Sequence, residues 1–349
     1  MAAFGTTRRR QRGVAIITAL LLTTLAVTIV TSLFWQQQVQ VRSMENQRLQ
    51  LQTRWILRGA LDWSRLILRQ DGADRPNQTT LDGVWATPLA ETRLDQYIER
   101  ERAENEKFDA TLSGQITDAQ ARYNLANLAY QRKPVPAQLT IFGRLLSNLQ
   151  LDPSLAQRVA QQVANSQPMV VAPAAGAGTG PATQPGGASP GTGGQQQGAQ
   201  PGAPASNSGG EQMELMRVED LLAVSGFTPQ AIERLRDFVI VLPERTPVNL
   251  NTAAPEVLAA LVDGLSVSEA SSMASARQRT PYVNLGNFSN LLNGRALTDA
   301  TPTAVSVNSG YFLVLSRVKL DRATLNSQSL IRREQNNNFR TTVVWIRDN

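Results

Sequence analysis

The sequence contains no cysteine and no histidine among its 349 residues. These absences exclude disulfide bonds, Cys/His zinc sites, thiol nucleophiles and every catalytic triad that depends on histidine. A chain without cysteine also fits an oxidising compartment, because it has no free thiol to protect. A Gly-Lys-Ser/Thr phosphate loop is absent, and no pair of carboxylates stands out. We therefore expect no enzymatic activity, no cofactor and no catalytic residue.

Lysine is scarce as well, and only three of the 34 basic residues are lysines. With 28 acidic residues the formal charge is +6, which is mild for this length. Such a charge does not indicate nucleic-acid binding unless the arginines cluster.

The amino terminus carries the strongest pattern. Four arginines lie between residues 8 and 12, Gly13 follows, and residues 14–35 contain no charge, proline or glycine. As a helix these 22 residues would be about 33 Å long, enough to cross a bilayer core. The arginines predict a cytoplasmic amino terminus. A cleaved secretory signal peptide is the alternative, but its apolar region would be shorter and a small-residue cleavage site would follow.

The helix is predicted to continue beyond the membrane, because no proline occurs before Pro76. Ile56, Ala60, Trp63 and Ile67 recur at helical spacing, with three leucines alongside. The sequence thus predicts one helix over about residues 14–69, apolar all round in its first half and amphipathic in its second. A helix half in lipid and half packed on a soluble head is typical of pilins.

The leader, Gly13 and the run VAIITALLL that follows resemble a type IV prepilin signal. This resemblance implies cleavage after Gly13 by a membrane prepilin peptidase and N-methylation of Val14. Most members of that family carry glutamate at the fifth mature position, where this chain has Thr18. A buried carboxylate without a partner is costly, so a neutral residue suits a subunit with nothing above it in the fibre.

The lack of that glutamate, together with three further segments, resembles the K-type minor pseudopilins of type II secretion. The segments are DAQARYNLANL at residues 118–128, VNLNT at 248–252, and the return strand near residues 305–312. From the residues alone, Asp118 and Asn124 are predicted to form turns and caps. K-type relatives usually carry an acidic calcium-binding loop, but no Asp or Glu occurs between Asp152 and Glu211. No metal ligand is therefore assigned, and calcium stays open.

The predicted fold class is α+β and type IV pilin-like: a long transmembrane helix on an antiparallel sheet, with a large inserted all-α domain. Strands are predicted near residues 311–319, 323–332 and 340–347, completing a sheet that begins near Phe108. A hairpin is predicted around Ser113 and Gly114. The predicted divisions are a leader (1–13), a transmembrane helix (14–35), its periplasmic continuation (36–70), the first part of the head (71–119), an inserted helical domain (120–304, with a disordered linker at 172–210), and carboxyl-terminal strands (305–349).

The inserted domain contains short helix pairs that resemble helix-hairpin-helix modules. Caps are predicted at Thr252, and at Ser266 with Glu269 as a capping box. Such modules bind DNA through two glycines that expose backbone N–H groups to phosphate. Here the second hairpin has one glycine beside Asp263, and Arg277 and Arg279 are the only nearby cations.

The expected function is that of a minor pseudopilin at the tip of a type II secretion pseudopilus, which initiates and caps assembly for protein export across the outer membrane. The expected partners are other minor pseudopilins, prepilin peptidase and the inner-membrane assembly platform, with no nucleic acid. The expected location is the inner membrane, single-pass, with the bulk of the chain periplasmic. The alternative is a membrane-anchored DNA receptor built on the helix-hairpin-helix units.

Overall fold

The structure is a computed structural model, and it describes residues 12–94, 110–167, 214–301 and 304–348. Most of the leader, the 172–210 linker and Phe108 lie outside these residues. The helices are α1 (Arg12–Asp74), α2 (Pro136–Asn148), α3 (Leu155–Ser166), α4 (Pro229–Leu235), α5 (Pro255–Leu261), α6 (Val267–Arg277) and α7 (Leu285–Asn290). The strands are β1 (Leu89–Arg93), β2 (Ala110–Asp118), β3 (Tyr123–Asn124), β4 (Ala129–Tyr130), β5 (Lys133–Pro134), β6 (Val239–Ile240), β7 (Val248–Asn249), β8 (Val305–Ser306), β9 (Tyr311–Leu320), β10 (Ala323–Glu334) and β11 (Arg340–Asp348).

Five of these strands form one antiparallel sheet in the order β1-β2-β9-β10-β11. The three predicted carboxyl-terminal strands are confirmed as β9, β10 and β11. The predicted hairpin is wrong, because Ser113 and Gly114 lie inside the continuous strand β2 and Gly114 pairs with Ser316. A side chain at Gly114 would come within 2.8 Å of the Leu315 carbonyl oxygen, so glycine serves a close approach between strands.

Helix α1 is unbroken over 63 residues, and its second half lies on the sheet. Leu61 and Leu68 are buried against a core that includes Trp85 and Phe312, and Leu57 is buried against Leu112 and Val318. The predicted apolar stripe is only partly correct, since Trp63 is 49% exposed. The buried face is centred on the leucines because they point directly at the sheet, while the predicted stripe lies along one edge of the contact.

Between β2 and β9 the chain forms a helical domain with its own core, from Tyr123 to Val307. Tyr123 stacks on Phe142 with ring centroids 5.5 Å apart. Two small parallel pairings, β3 with β6 and β7 with β8, tie the domain together next to the sheet. The architecture is therefore the predicted α+β class, with a long helix on an antiparallel sheet.

Local capping rules account for most helix starts in this domain. Thr228 caps α4 through the Ala231 N–H, and the Ser266–Glu269 capping box at the start of α6 is confirmed. The predicted cap at Thr252 is wrong, since α5 is preceded by Ala254. The hydroxyl of Thr252 instead donates to a buried carboxylate of the sheet, described next.

Candidate functional site: an apolar helix and a buried polar junction

The first half of α1 presents apolar side chains to its surroundings on every side. Within the described residues it is the one helix long and apolar enough to cross a membrane. Gly13 and Val14 are its second and third residues, and the backbone is already helical there. The Thr18 hydroxyl donates to the Ala15 carbonyl at 3.0 Å, so this polar group is satisfied within its own helix. A neutral residue at this position therefore needs no charged partner.

A buried polar cluster lies where the sheet meets the helical domain, at the end of β2. The Asp118 carboxylate accepts hydrogen bonds from the Gln120 backbone N–H (2.8 Å), Asn249 Nδ2 (2.9 Å) and the hydroxyls of Thr252 and Ser309 (both 2.6 Å). Burial raises the pKa of Asp118, and the hydrogen bonds from Ser309, Thr252 and the others act in the opposite direction. Asp118 thus holds together β2, the helical domain and the segment that returns to the sheet.

Asn124 fulfils the predicted cap role and does more. Its Oδ1 accepts from the N–H groups of Ala126 (3.1 Å) and Leu242 (3.2 Å), and its Nδ2 donates to the Glu244 carbonyl at 2.7 Å. The cap on the short helical turn after β3 therefore also fixes the segment that follows β6. Both predicted turn residues are structural, and both are buried.

The three sequence segments that resemble the K-type pattern meet at Asp118, which accepts from Asn249 and from Ser309. Asn249, in the 248–252 segment, donates to Asp118 and also to the Thr79 carbonyl at 3.1 Å. Asn251 donates to the Tyr282 carbonyl at 2.9 Å. Sequence reasoning did not find this contact because the partners are more than a hundred positions apart. The density of Asn, Asp and Thr in the 118–128 and 248–252 segments was the available signal.

A buried ion pair that the sequence did not predict joins α1 to the sheet beside this cluster. Arg333 on β10 donates to Asp71 Oδ2 (2.9 Å), the Leu68 carbonyl (3.0 Å) and the Thr79 hydroxyl (2.8 Å). The Arg333 guanidinium also lies 4.7 Å from the centre of the Phe312 ring. Burial raises the pKa of Asp71, and the hydrogen bond and charge of Arg333 lower it. The carboxyl end of α1 is thereby fixed to the sheet.

In the second helix pair of the inserted domain, Asp263 and Arg277 are both engaged by other groups of the chain. Asp263 Oδ1 lies 2.6 Å from the Arg144 guanidinium and accepts from the Thr298 hydroxyl, which lowers the pKa of Asp263. Arg277 is buried and donates to the carbonyls of Leu250 and Ala253. Burial lowers the pKa of Arg277 to about 10. Of the two predicted cations, only Arg279 is exposed.

Metal ligation has no support in the part of the chain that the structure describes. Within residues 12–94, 110–167, 214–301 and 304–348, no group of three or more Asp or Glu side chains could hold an ion. The calcium-binding loop of the K-type relatives corresponds to the 153–210 region, most of which lies outside the described residues.

Comparisons with known proteins agree with this geometry. The family described as "Type II secretion system (T2SS), protein K" matches residues 248–308, and a second family of the same description matches residues 121–244. The type II secretion system protein K of Pseudomonas aeruginosa is 27% identical over 90% of this chain and 86% of its own length. That of Klebsiella pneumoniae is 26% identical over 97% of this chain and 99% of its own length.

A solved structure shares the fold. A chain of the GspK-GspI-GspJ complex from the enterotoxigenic Escherichia coli type 2 secretion system superposes with a TM-score of 0.60 at 19% identity, over 88% of this chain and 99% of that chain. The two family matches together span more than half of the 349 residues, and the two curated relatives align over nearly their whole lengths. The chain therefore belongs to the type II secretion system protein K family.

Proposed function

We propose that this protein is a minor pseudopilin that initiates and caps the pseudopilus of a type II secretion system. The observation that carries the proposal is a single apolar helix that continues without a break onto a pilin-like sheet. Such a helix can join a bundle of similar helices in and above the membrane. The role is one of assembly by packing, without catalysis.

The inserted helical domain supplies the capping part of the proposal. It is fixed to the head through the Asp118 cluster, so the two parts form one body on the described residues. A domain of this size at one end of the head blocks addition of a further subunit on that side. Thr18 is consistent with a place at the tip of the fibre, because a subunit with no neighbour above it needs no carboxylate to pair with that neighbour's amino terminus.

Maturation and location follow from the amino terminus. We propose cleavage between Gly13 and Val14 by prepilin peptidase, with N-methylation of Val14, after which the assembly platform of the inner membrane engages the subunit. The arginines before Gly13 keep the short end cytoplasmic, and the bulk of the chain is periplasmic. Export across the outer membrane is the process that the fibre serves.

The test is to express the full chain with the pilin-like subunits of its own secretion system and purify it from detergent-solubilised membranes. We expect co-purification of minor pseudopilins, and mass spectrometry should find an N-methylated Val14. The alternative of a DNA receptor is tested on the same preparation, by DNA retention at low and at physiological salt. Salt-sensitive DNA binding without any captured pilin-like subunit would overturn the proposal.

A further inference from the structure

Helix α1 carries a row of arginines on one side of its second half. Arg54, Arg58, Arg65 and Arg69 fall within about 60° of one another around the helix axis, at 100° per residue. The row is about 22 Å long at 1.5 Å per residue. We call Arg54, Arg58 and Arg69 the arginine row, because Arg65 is engaged by Asp62 and by the Thr341 carbonyl.

The arginine row forms no ion pair within the described residues. All three side chains are exposed, and no carboxylate among the described residues lies within ion-pair distance of any of them. Two carboxylates lie on this side of the helix: Asp62, which pairs with Arg65, and Asp348, which lines a surface depression together with Arg54 and Arg58 without pairing with either. The Arg58 guanidinium lies 5.4 Å from the centre of the Trp55 ring, which holds it at the surface.

An apolar groove runs beside the arginine row, between α1 and the edge strand β11. Its apolar lining is formed by Leu51, Trp55, Leu57, Leu61 and Ile346, its charged edge is formed by Arg54, Arg58 and Asp348, and its volume is about 300 Å³. Trp55 is 67% exposed and Leu51 is 57% exposed. Large apolar side chains next to an unpaired row of one charge indicate a surface that receives a partner.

The membrane is too far away to supply the negative charge. Arg54 is 19 positions beyond the end of the apolar run at residue 35, which is about 29 Å along the helix. Lipid headgroups occupy only the interfacial zone of the bilayer, so they lie well below the arginine row. The counter-charge is therefore expected from a protein that rises from the membrane alongside α1.

Continuity of α1 defines the shape of that partner. Because α1 does not break between residues 12 and 74, a partner helix that is equally continuous and packs beside its membrane-spanning half also lies alongside it above the membrane. The complementary surface is then another long helix with Asp or Glu side chains about one turn apart and an apolar ridge beside them.

We infer that the arginine row and its adjoining groove dock the acidic, amphipathic face of the long helix of a neighbouring pilin-like subunit. This inference rests on the proposed function and names the surface through which it operates. The charges set which neighbour docks and in which register, while Trp55 and Leu51 supply the apolar contact.

The test uses three forms of the full chain, each co-expressed with the pilin-like subunits of its system and purified from membranes. The row variant carries Arg54→Glu, Arg58→Glu and Arg69→Glu. The matched control carries the same charge change at exposed positions of the helical domain, Arg234→Glu, Arg279→Glu and Lys133→Glu. The third form carries Arg54→Lys, Arg58→Lys and Arg69→Lys.

We expect the amount of partner subunit that co-purifies with the row variant to fall about tenfold, because the charge reversal places like charges opposite each other along the interface. The matched control and the lysine form should retain capture. Replacing the acidic residues of the partner helix by lysine should restore capture by the row variant. Asp62→Cys gives a unique thiol in a chain without cysteine, and a thiol-reactive benzophenone attached at this position should form a photo-cross-link to that partner helix.

Four results would overturn the inference. Undiminished capture by the row variant would do so while leaving the proposed function intact, whereas no capture by the wild type would overturn both. If the row variant lost binding to anionic vesicles or to DNA but captured as much partner subunit as the wild type, the arginine row would be assigned to that other ligand. If the row variant melts below the wild type, the Asp62→Cys cross-link decides, and its absence from the partner helix overturns the inference.

Discussion

The buried pair of Arg333 and Asp71 gives the sharpest test of how α1 is fixed to the sheet. Arg333 is 3% exposed, and its guanidinium donates hydrogen bonds to Asp71, to the Leu68 carbonyl and to the Thr79 hydroxyl. Replacement by methionine keeps most of the side-chain volume but leaves a buried carboxylate without its cation. Removing one partner of a buried pair costs about 3–5 kcal/mol.

The double variant separates charge from packing. With Asp71→Asn added to Arg333→Met, no uncompensated charge remains, and we expect at least half of the lost stability to return. The matched control is Arg322→Met, which breaks a pair with Glu45 at 3.4 Å in which both side chains are more than half exposed. That loss should stay below about 1 kcal/mol.

The assay is thermal unfolding of the full chain in detergent, followed by circular dichroism. At about 2–4 °C for each kcal/mol, the single variant should melt roughly 10 °C below the wild type. The gap should narrow on acidification, because loss of Arg333 raises the pKa of Asp71 further and a protonated Asp71 needs no cation. A drop under 1 kcal/mol, or a double variant no better than the single one, would refute this account of the pair.

Three further predictions concern other parts of the molecule. The backbone N–H of Ser266 and a neighbouring arginine lower the pKa of Glu269 to about 2. Carbon NMR should therefore find this carboxylate ionised well below pH 4.5, and its contribution to helix capping should be lost as the pH falls towards 2. A titration midpoint near 4.5 would contradict the capping geometry. Leu145→Ala, at a fully buried position of the helical core, should lower the free energy of unfolding in urea by about 2–5 kcal/mol. Gly114→Ala should destabilise by about 1–3 kcal/mol because its methyl group would meet a backbone oxygen of β9, whereas Gly59→Ala, in open space on α1, should stabilise by about 0.5–1 kcal/mol in the same assay.

Local signals in the sequence predicted the elements well where each element carries its own pattern. The apolar run and the absence of proline predict α1, and composition rich in strand-forming residues predicts β9, β10 and β11 within a few residues. The capping box at Ser266 depends on four consecutive residues, so it could be read directly.

The failures arise where a distant part of the chain decides. Gly114 looks like a turn residue because glycine favours turns, but here it accommodates β9, which lies about 200 positions further on. Thr252 looks like a helix cap, but its hydroxyl donates to Asp118 on the other side of the junction between the sheet and the helical domain. Trp63 lies at the helical spacing expected of core residues, yet it is half exposed because of the way α1 is rotated about its axis on the sheet. Periodicity alone does not determine that rotation.

The adjacency of β2 and β9 has a consequence for how the chain folds. Asp118 at the end of β2 pairs with Phe312 at the start of β9, so almost 200 residues of chain are inserted between two neighbouring positions of the sheet. Closing a loop of that length in an unfolded chain costs about 4–5 kcal/mol in entropy by the logarithmic rule. Folding of the helical domain before the sheet would lower this cost, because the pairings of β3 with β6 and of β7 with β8 already shorten the loop between β2 and β9. We therefore expect the pairing of β2 with β9 to form late, after the inserted domain.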